Sequence, residues 1–287
     1  MDVVIDAAFG IISFSSIMVL VVLGLGIIAS MMGIFNFAHA EFVLLGAYTV
    51  YLFHHSGLPV WLGMLAAPVA VALCGLILER TVIRRFYAHP VVAMLGTYAI
   101  GLVIREVVRG LIGGLYHSVP EPIIGFFTVG EISVSKWRAA IIILTVLVIG
   151  LSYLLLTRTT LGLRVRAALE NPALARASGI STSQIYAITF AFGAALAGLA
   201  GALMVPLFTL FADLGLRFLI QGFLAVMLGG VGTFEGPILG AGLIGVMTAS
   251  FPWLLNPVLA DVLVFVVAIA IVKLKPSGLL SLSRGRM

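Results

Sequence analysis

Within the stretch GIFNFAHAEF, residues 33–42, an amide, an imidazole and a carboxylate crowd together as Asn36, His39 and Glu41. These groups can donate and accept hydrogen bonds and hold one negative charge, which suits contact with a small polar solute. A fourth group, Glu235, opens EGPILGA (235–241), whose pattern Glu-x-x-x-Leu-Gly-Ala repeats that of EFVLLGA (41–47). Bond-making chemistry finds little support. No Gly-x4-Gly-Lys-Ser/Thr loop is present to cradle ATP phosphates, and no Gly-x-Ser-x-Gly elbow to expose a nucleophile. His54 and His55 adjoin instead of standing a helical turn apart, so Glu41 has no spaced histidine pair with which to hold zinc. No catalytic residue, metal or cofactor is expected.

The elements that position these groups must lie in lipid. Of 287 residues 62% are hydrophobic and 9% charged, with a mean hydropathy of +1.25. A water-facing surface needs about 25% charged residues, so this stock cannot build a soluble domain. The fold class expected is all-α, a polytopic membrane bundle forming one domain over 1–287. A pI near 9.7 would fit nucleic acid only if the basic residues formed a stripe. They flank apolar runs instead, as membrane-edge charges do, so no nucleic-acid partner is expected. The lone Cys74 lies inside an apolar run and reads as packing. Asp2 and Asp6 precede the first run where a cleavable signal would be basic, so that run is expected to stay as a span.

Apolar runs long enough to cross about 30 Å of hydrocarbon fall near 9–31, 37–54, 58–79, 90–110, 138–156, 184–205, 218–235, 237–253 and 258–272. Eight or nine crossings are expected. The second starts with polar residues and the seventh ends in LGGVGTFEGP, so broken or re-entrant backbone is expected near 33–42 and 229–237. Basic residues gather after the third run (Arg80, Arg84, Arg85), after the fifth (Arg158, Arg164, Arg166, Arg176) and in the tail (Lys273, Lys275, Arg284, Arg286). All three groups fall on one side of this topology, which the positive-inside rule makes cytoplasmic, with the N-terminus outside and the C-terminus inside. Arg105, Glu106 and Arg109 are expected as snorkelling anchors at the outer end of the fourth span. Asp213 and Arg217 are spaced for an i,i+4 pair at the mouth of the seventh. Ala194-x3-Gly198 and Ala197-x3-Gly201 allow close helix approach in lipid.

The cytoplasmic loop 158–185 is punctuated like a pair of short helices. Thr159 to Glu170 suits one, amphipathic through Arg164 and Arg166. Asn171-Pro172 reads as an N-cap followed by proline at the first helical position. Gly179 can close the second helix in the left-handed region, and Ser181 to Gln184 has the capping-box pattern that opens the next span. Such a loop is either a surface-lying amphipath whose arginines meet anionic lipid or a stiff knob able to take a push.

This segment resembles the cytoplasmic coupling motif of permease subunits of bacterial branched-chain amino acid ABC importers and their urea and short-chain amide relatives. The matching residues are Thr157-Arg158, Gly162, Arg166-Ala167, Asn171, Ala175 and Gly179-Ile180. GIFNFAHAEFVLLGAY is similar to the early signature of that family, with Ala40 where the family usually has glycine, and GFLAVMLGGVGTFEGPILGA to its late one. The resemblance covers nearly the whole chain. It implies a bacterial inner-membrane permease for branched-chain amino acids, or for urea or a short amide. It also implies a second homologous permease subunit, two cytoplasmic ATP-binding subunits and a periplasmic solute-binding protein. ATPase coupling would fall to Arg158, Arg164, Arg166, Glu170, Asn171, Arg176 and Gly179. The substrate pathway would fall to Asn36, His39, Glu41 and Glu235, although a local hydrogen-bonding role for His39 is an equal reading. A self-sufficient secondary transporter or channel is the alternative; it would need an ion site from groups such as Glu41, Glu235 and Asp261.

Overall fold

The computed structural model describes residues 2–87, 89–129 and 132–280. Helices α1 (Asp2–Met32), α2 (His39–His55), α3 (Val60–Thr81), α4 (Pro90–Ile112) and α5 (Lys136–Arg158) are followed by two short helices, α6 (Thr160–Glu170) and α7 (Pro172–Ala177). Four more complete the bundle: α8 (Thr182–Met204), α9 (Leu214–Gly229), α10 (Glu235–Ser250) and α11 (Pro257–Leu274). Between α4 and α5 the chain forms an antiparallel hairpin of β1 (Phe126–Val129) and β2 (Ile132–Ser135), with Phe126 opposite Ser135. That stretch reads as a plain link from its sequence.

Seven of the described helices are long and apolar enough to cross a membrane. While a 3-10 turn carries the 16 residues of α10 on to Trp253, the two runs singled out for polar or glycine-rich ends stay short: α2 has 17 residues and α9 has 16. At about 1.5 Å per residue each covers roughly 25 Å, less than the hydrocarbon thickness. α9 also lies earlier than its expected 218–235. Gly230 takes φ +98°, a left-handed value that stops the helix. Against the eight or nine crossings expected, seven of the described helices are long and apolar enough to cross, and α2 and α9 are shorter.

α1 and α8 form the buried centre, and α3, α4, α5 and α11 turn most of their surface outward. The small residues of α8 set how closely its neighbours lie. Gly198 packs on Gly46 of α2, and Gly201 lies against the Val43 carbonyl. A Cβ added at Gly193 would sit 2.6 Å from Ile28 Cγ1 of α1. Of the two expected small-xxx-small pairs, Ala194 and Gly198 lie against α3, and Gly201 lies against α2.

The two ends of the bundle differ. One carries the β-hairpin and the start of α1. The other carries α6, α7 and the basic residues that follow α3, α5 and α11. The link after α3 meets the beginning of α8 there through an edge-on Tyr87–Tyr186 contact, centroids 5.3 Å apart. The Leu279 N–H, beyond α11, donates to the Leu228 carbonyl of α9 there (2.9 Å). Arg284 and Arg286 lie outside the described residues.

Candidate functional site

The break between α1 and α2 decides where the polar cluster sits. His39 Nε2 lies 2.7 Å from the Val21 carbonyl of α1. From Val21, α1 runs on to Met32, a rise of about 16 Å, towards the loop end. Residues 33–38 must therefore climb back along α1 before α2 begins. α4 agrees: the Phe37 N–H donates to Thr97 Oγ1 at 3.1 Å, about 10 Å in from the start of α4. Asn36, His39 and Glu41 consequently lie deep in the bundle, and all three are at most 1% exposed. Backbone leaves helical geometry at such depth only where protein covers it or a polar path runs.

α9 arrives at the same level from the other end. Before it, residues 205–213 run inward with Leu210 and Ala212 buried. Leu210 is held by paired backbone hydrogen bonds to His117, both 2.9 Å. Gly215 then packs on the Ala40 carbonyl, and Phe223 stacks on Phe37 with centroids 4.4 Å apart. The N-terminal ends of α2 and α9 thus approach each other inside the bundle. Their partial positive charge favours the carboxylates there, Glu41 and Asp213.

Arg105 of α4 closes the site. Its guanidinium pairs with Glu41 through Nη2 and through Nε, 3.1 Å from Oε1. The same Nε lies 3.8 Å from Asp213 Oδ1. Arg109 reaches both Asp213 oxygens at 3.0 Å and Glu106 at 2.6 Å. These residues correct two expectations. Arg105 is no surface anchor, being 8% exposed. Asp213 pairs with Arg109 of α4 instead of Arg217, with which it forms no ion pair among the described residues.

Several polar atoms in this region have no protein partner among the described residues: Asn36 Nδ2, His39 Nδ1, Glu41 Oε2 and Tyr48 Oη. Asn36 Oδ1 accepts from the Ala38 N–H at 3.1 Å, fixing the turn into α2. The Val21 carbonyl can only accept, so His39 Nε2 carries the hydrogen of that bond, and Nδ1 has no protein partner among the described residues. Buried groups left unmatched are costly. All four belong to the helix break or to α2. Glu235 does not join them. It is exposed at the start of α10, with no polar contact to the cluster among the described residues.

The loop residues form a separate structure at the opposite end from the hairpin. Thr159 caps α6 by accepting from the Gly162 N–H, and Asn171 Oδ1 caps α7 by accepting from the Leu174 N–H at 2.9 Å. Gly179 has φ +81° and ends the pair as expected. Arg166 reaches back to the Leu156 carbonyl of α5. One expectation fails: Ser181 stands at the N-cap of α8, but its hydroxyl makes no capping bond. Arg158, Arg164, Arg166, Glu170, Asn171, Arg176 and Gly179 are all exposed there.

Sequence reading passed over Glu79. It is fully buried near the end of α3, and the Tyr87 hydroxyl donates to its Oε1 at 2.5 Å. Its signal was a lone carboxylate within an apolar run. Burial and the bond to Glu79 push the Tyr87 phenol well above its ordinary pKa, so it remains a donor. Tyr87→Phe is expected to leave Glu79 without that donor and cost about 1–3 kcal/mol. A lower denaturation midpoint of the detergent-solubilised protein would register it; an unchanged midpoint would show that the bond carries no stability.

A membrane bundle with irregular backbone and matched charges at depth defines a polytopic transport-type protein. The sequence family described as branched-chain amino acid transport system / permease component matches residues 7–272, and the chain belongs to it. It is 29% identical over 278 residues to the high-affinity branched-chain amino acid transport system permease protein BraD of Pseudomonas aeruginosa, covering 91% of this chain and 90% of that one. It is 25% identical over 285 residues to the permease protein LivH of the corresponding Salmonella typhimurium system, covering 94% and 92%. The probable permease LivH of Methanocaldococcus jannaschii is 29% identical over 251 residues, covering 83% and 78%. No solved structure matches the chain significantly.

Proposed function

We propose that the chain is the membrane subunit of an ATP-driven importer whose cargo is a branched-chain amino acid. ATP is hydrolysed by two cytoplasmic subunits seated on residues 158–185, and a second homologous permease completes the membrane part. A periplasmic binding protein delivers the solute at the hairpin end. The N-terminus then lies outside and the C-terminus inside, because the end rich in arginine and lysine faces the cytoplasm. Cargo identity rests on what the relatives are named for.

The observation that carries the coupling role is the α6–α7 pair itself. Capped at Thr159 and Asn171 and tied to α5 through Arg166, it is stiff enough to transmit displacement. It also leaves Leu163 and Leu174 about 60% exposed beyond the spans, at 61% and 62%. Large apolar side chains exposed outside lipid are suited to a protein partner. A secondary transporter is less favoured, since Glu235 and Asp261 are exposed while Glu41 is buried, so the three carboxylates do not share one site.

Arg166→Ala combined with Asn171→Ala removes the tie and a cap worth about 0.5–2 kcal/mol. Uptake by the reconstituted complex is expected to fall about tenfold or more, with the complex still assembled and ATP still hydrolysed. Full uptake in that double variant would show that the pair does not transmit force.

A further inference from the structure

Glu41, Arg105, Asp213, Arg109 and Glu106 form one chain of contacts that alternates in sign at every step. Side-chain exposure along it runs 1%, 10%, 46%, 39% and 60%, from the buried start of α2 towards the hairpin end. From this ladder we propose that the permease itself reads the zwitterionic head of an α-amino acid, with Arg105 taking the carboxylate and Glu41 the ammonium. The proposal rests on the importer reading above and names what its path recognises.

The alternation is what selects the solute class. Ions taken out of water are expensive, and a buried pair often stabilises no more than apolar residues of the same volume would. A path for an uncharged amide could be lined by hydroxyls and amides at less cost. A lone cation or anion would meet a like charge at every second step. A zwitterion holds its two charges a few ångström apart, so it can break one ion pair and satisfy both partners at once.

The buried end of the ladder has the spare groups this exchange needs. Glu41 Oε2 is an acceptor without a protein partner, suited to an ammonium, and Asn36 Nδ2 is a spare donor for a carboxylate oxygen. The stacked pair Phe37 and Phe223 lies beside them and offers an apolar surface to a branched side chain. Glu41 pairs with Arg105, which keeps either from standing buried and alone.

The test uses the complete importer in proteoliposomes, with binding protein outside and ATP enclosed. Glu41→Gln with Arg105→Gln leaves no isolated charge, so its folding is checked by elution profile and melting. Leucine uptake by this double variant is expected to drop about tenfold or more. Asp213→Asn, altered at a half-exposed step, is expected to fold normally and to slow uptake about threefold. Leucine enclosed with the ATP should slow wild-type uptake, since it reaches the permease but not the binding protein. Leucinamide, lacking a carboxylate, and 4-methylpentanoate, lacking the amine, should not. Wild-type uptake rates in both variants, or equal effects of the three enclosed compounds, would overturn the proposal. Failure of the wild-type complex to import any branched-chain amino acid would overturn the importer reading instead.

Discussion

Arg105→Ala is expected to be the most destabilising single substitution among the charged residues, by about 3–5 kcal/mol. The reason is what it leaves behind. Glu41 is 1% exposed, its Oε2 already lacks a partner, and its Oε1 would lose both guanidinium contacts. An ionised carboxylate would then stand alone deep in an apolar bundle. Adding Glu41→Gln removes that charge and should restore a large part of the loss. A double-mutant cycle on the detergent-purified protein measures this directly. If the single and double variants melt together, the pair is not a structural unit.

Gly201→Leu is the second large effect. Gly201 presses on the Val43 carbonyl of α2, so no side chain fits without separating the helices. Overpacking in a core costs about 1–3 kcal/mol where neighbours can shift. Here the obstacle is backbone, and the adjacent contact of Gly46 with Gly198 would open too. Loss of monodisperse protein on gel filtration is the expected outcome. Gly242→Leu is the matched control, since a Cβ there meets nothing within 4 Å. Equal behaviour of the two would mean that α2 and α8 are not closely packed.

Much of this was legible in the sequence, because its signals are local. Nine apolar runs correspond to nine helices among those described, and the caps at Asn171 and Gly179 fall where residue type put them. The two irregular runs were identified by their polar and glycine-rich ends. The pairing of Glu41 with Arg105 was not legible. The residues are 64 positions apart, and hydropathy sets Arg105 near the end of its span and Glu41 near the beginning of another. They meet only because residues 33–38 double back and α2 starts part-way up α1, a register that no composition window contains. Asp213 misled for the same reason: its i+4 neighbour is visible in one dimension, but Arg109 is closer in three. The repeated Glu-x-x-x-Leu-Gly-Ala pattern places both glutamates in the first turn of a helix, Glu41 of α2 and Glu235 of α10, yet only one is buried.

The length of α1 has a bearing on how the protein meets lipids. Its apolar segment, Ile5–Met32, spans about 42 Å, well beyond the thickness of a bilayer's hydrocarbon. A helix of that length in direct contact with acyl chains would tilt steeply or thicken the membrane around it. From Ile17 onward α1 is sheathed by its neighbours, so along that stretch lipids meet instead the 22- and 23-residue helices α3, α4 and α5 and the 18-residue α11. Hydrophobic matching is therefore set by the rim of the bundle, and membrane thickness can vary without straining its central column.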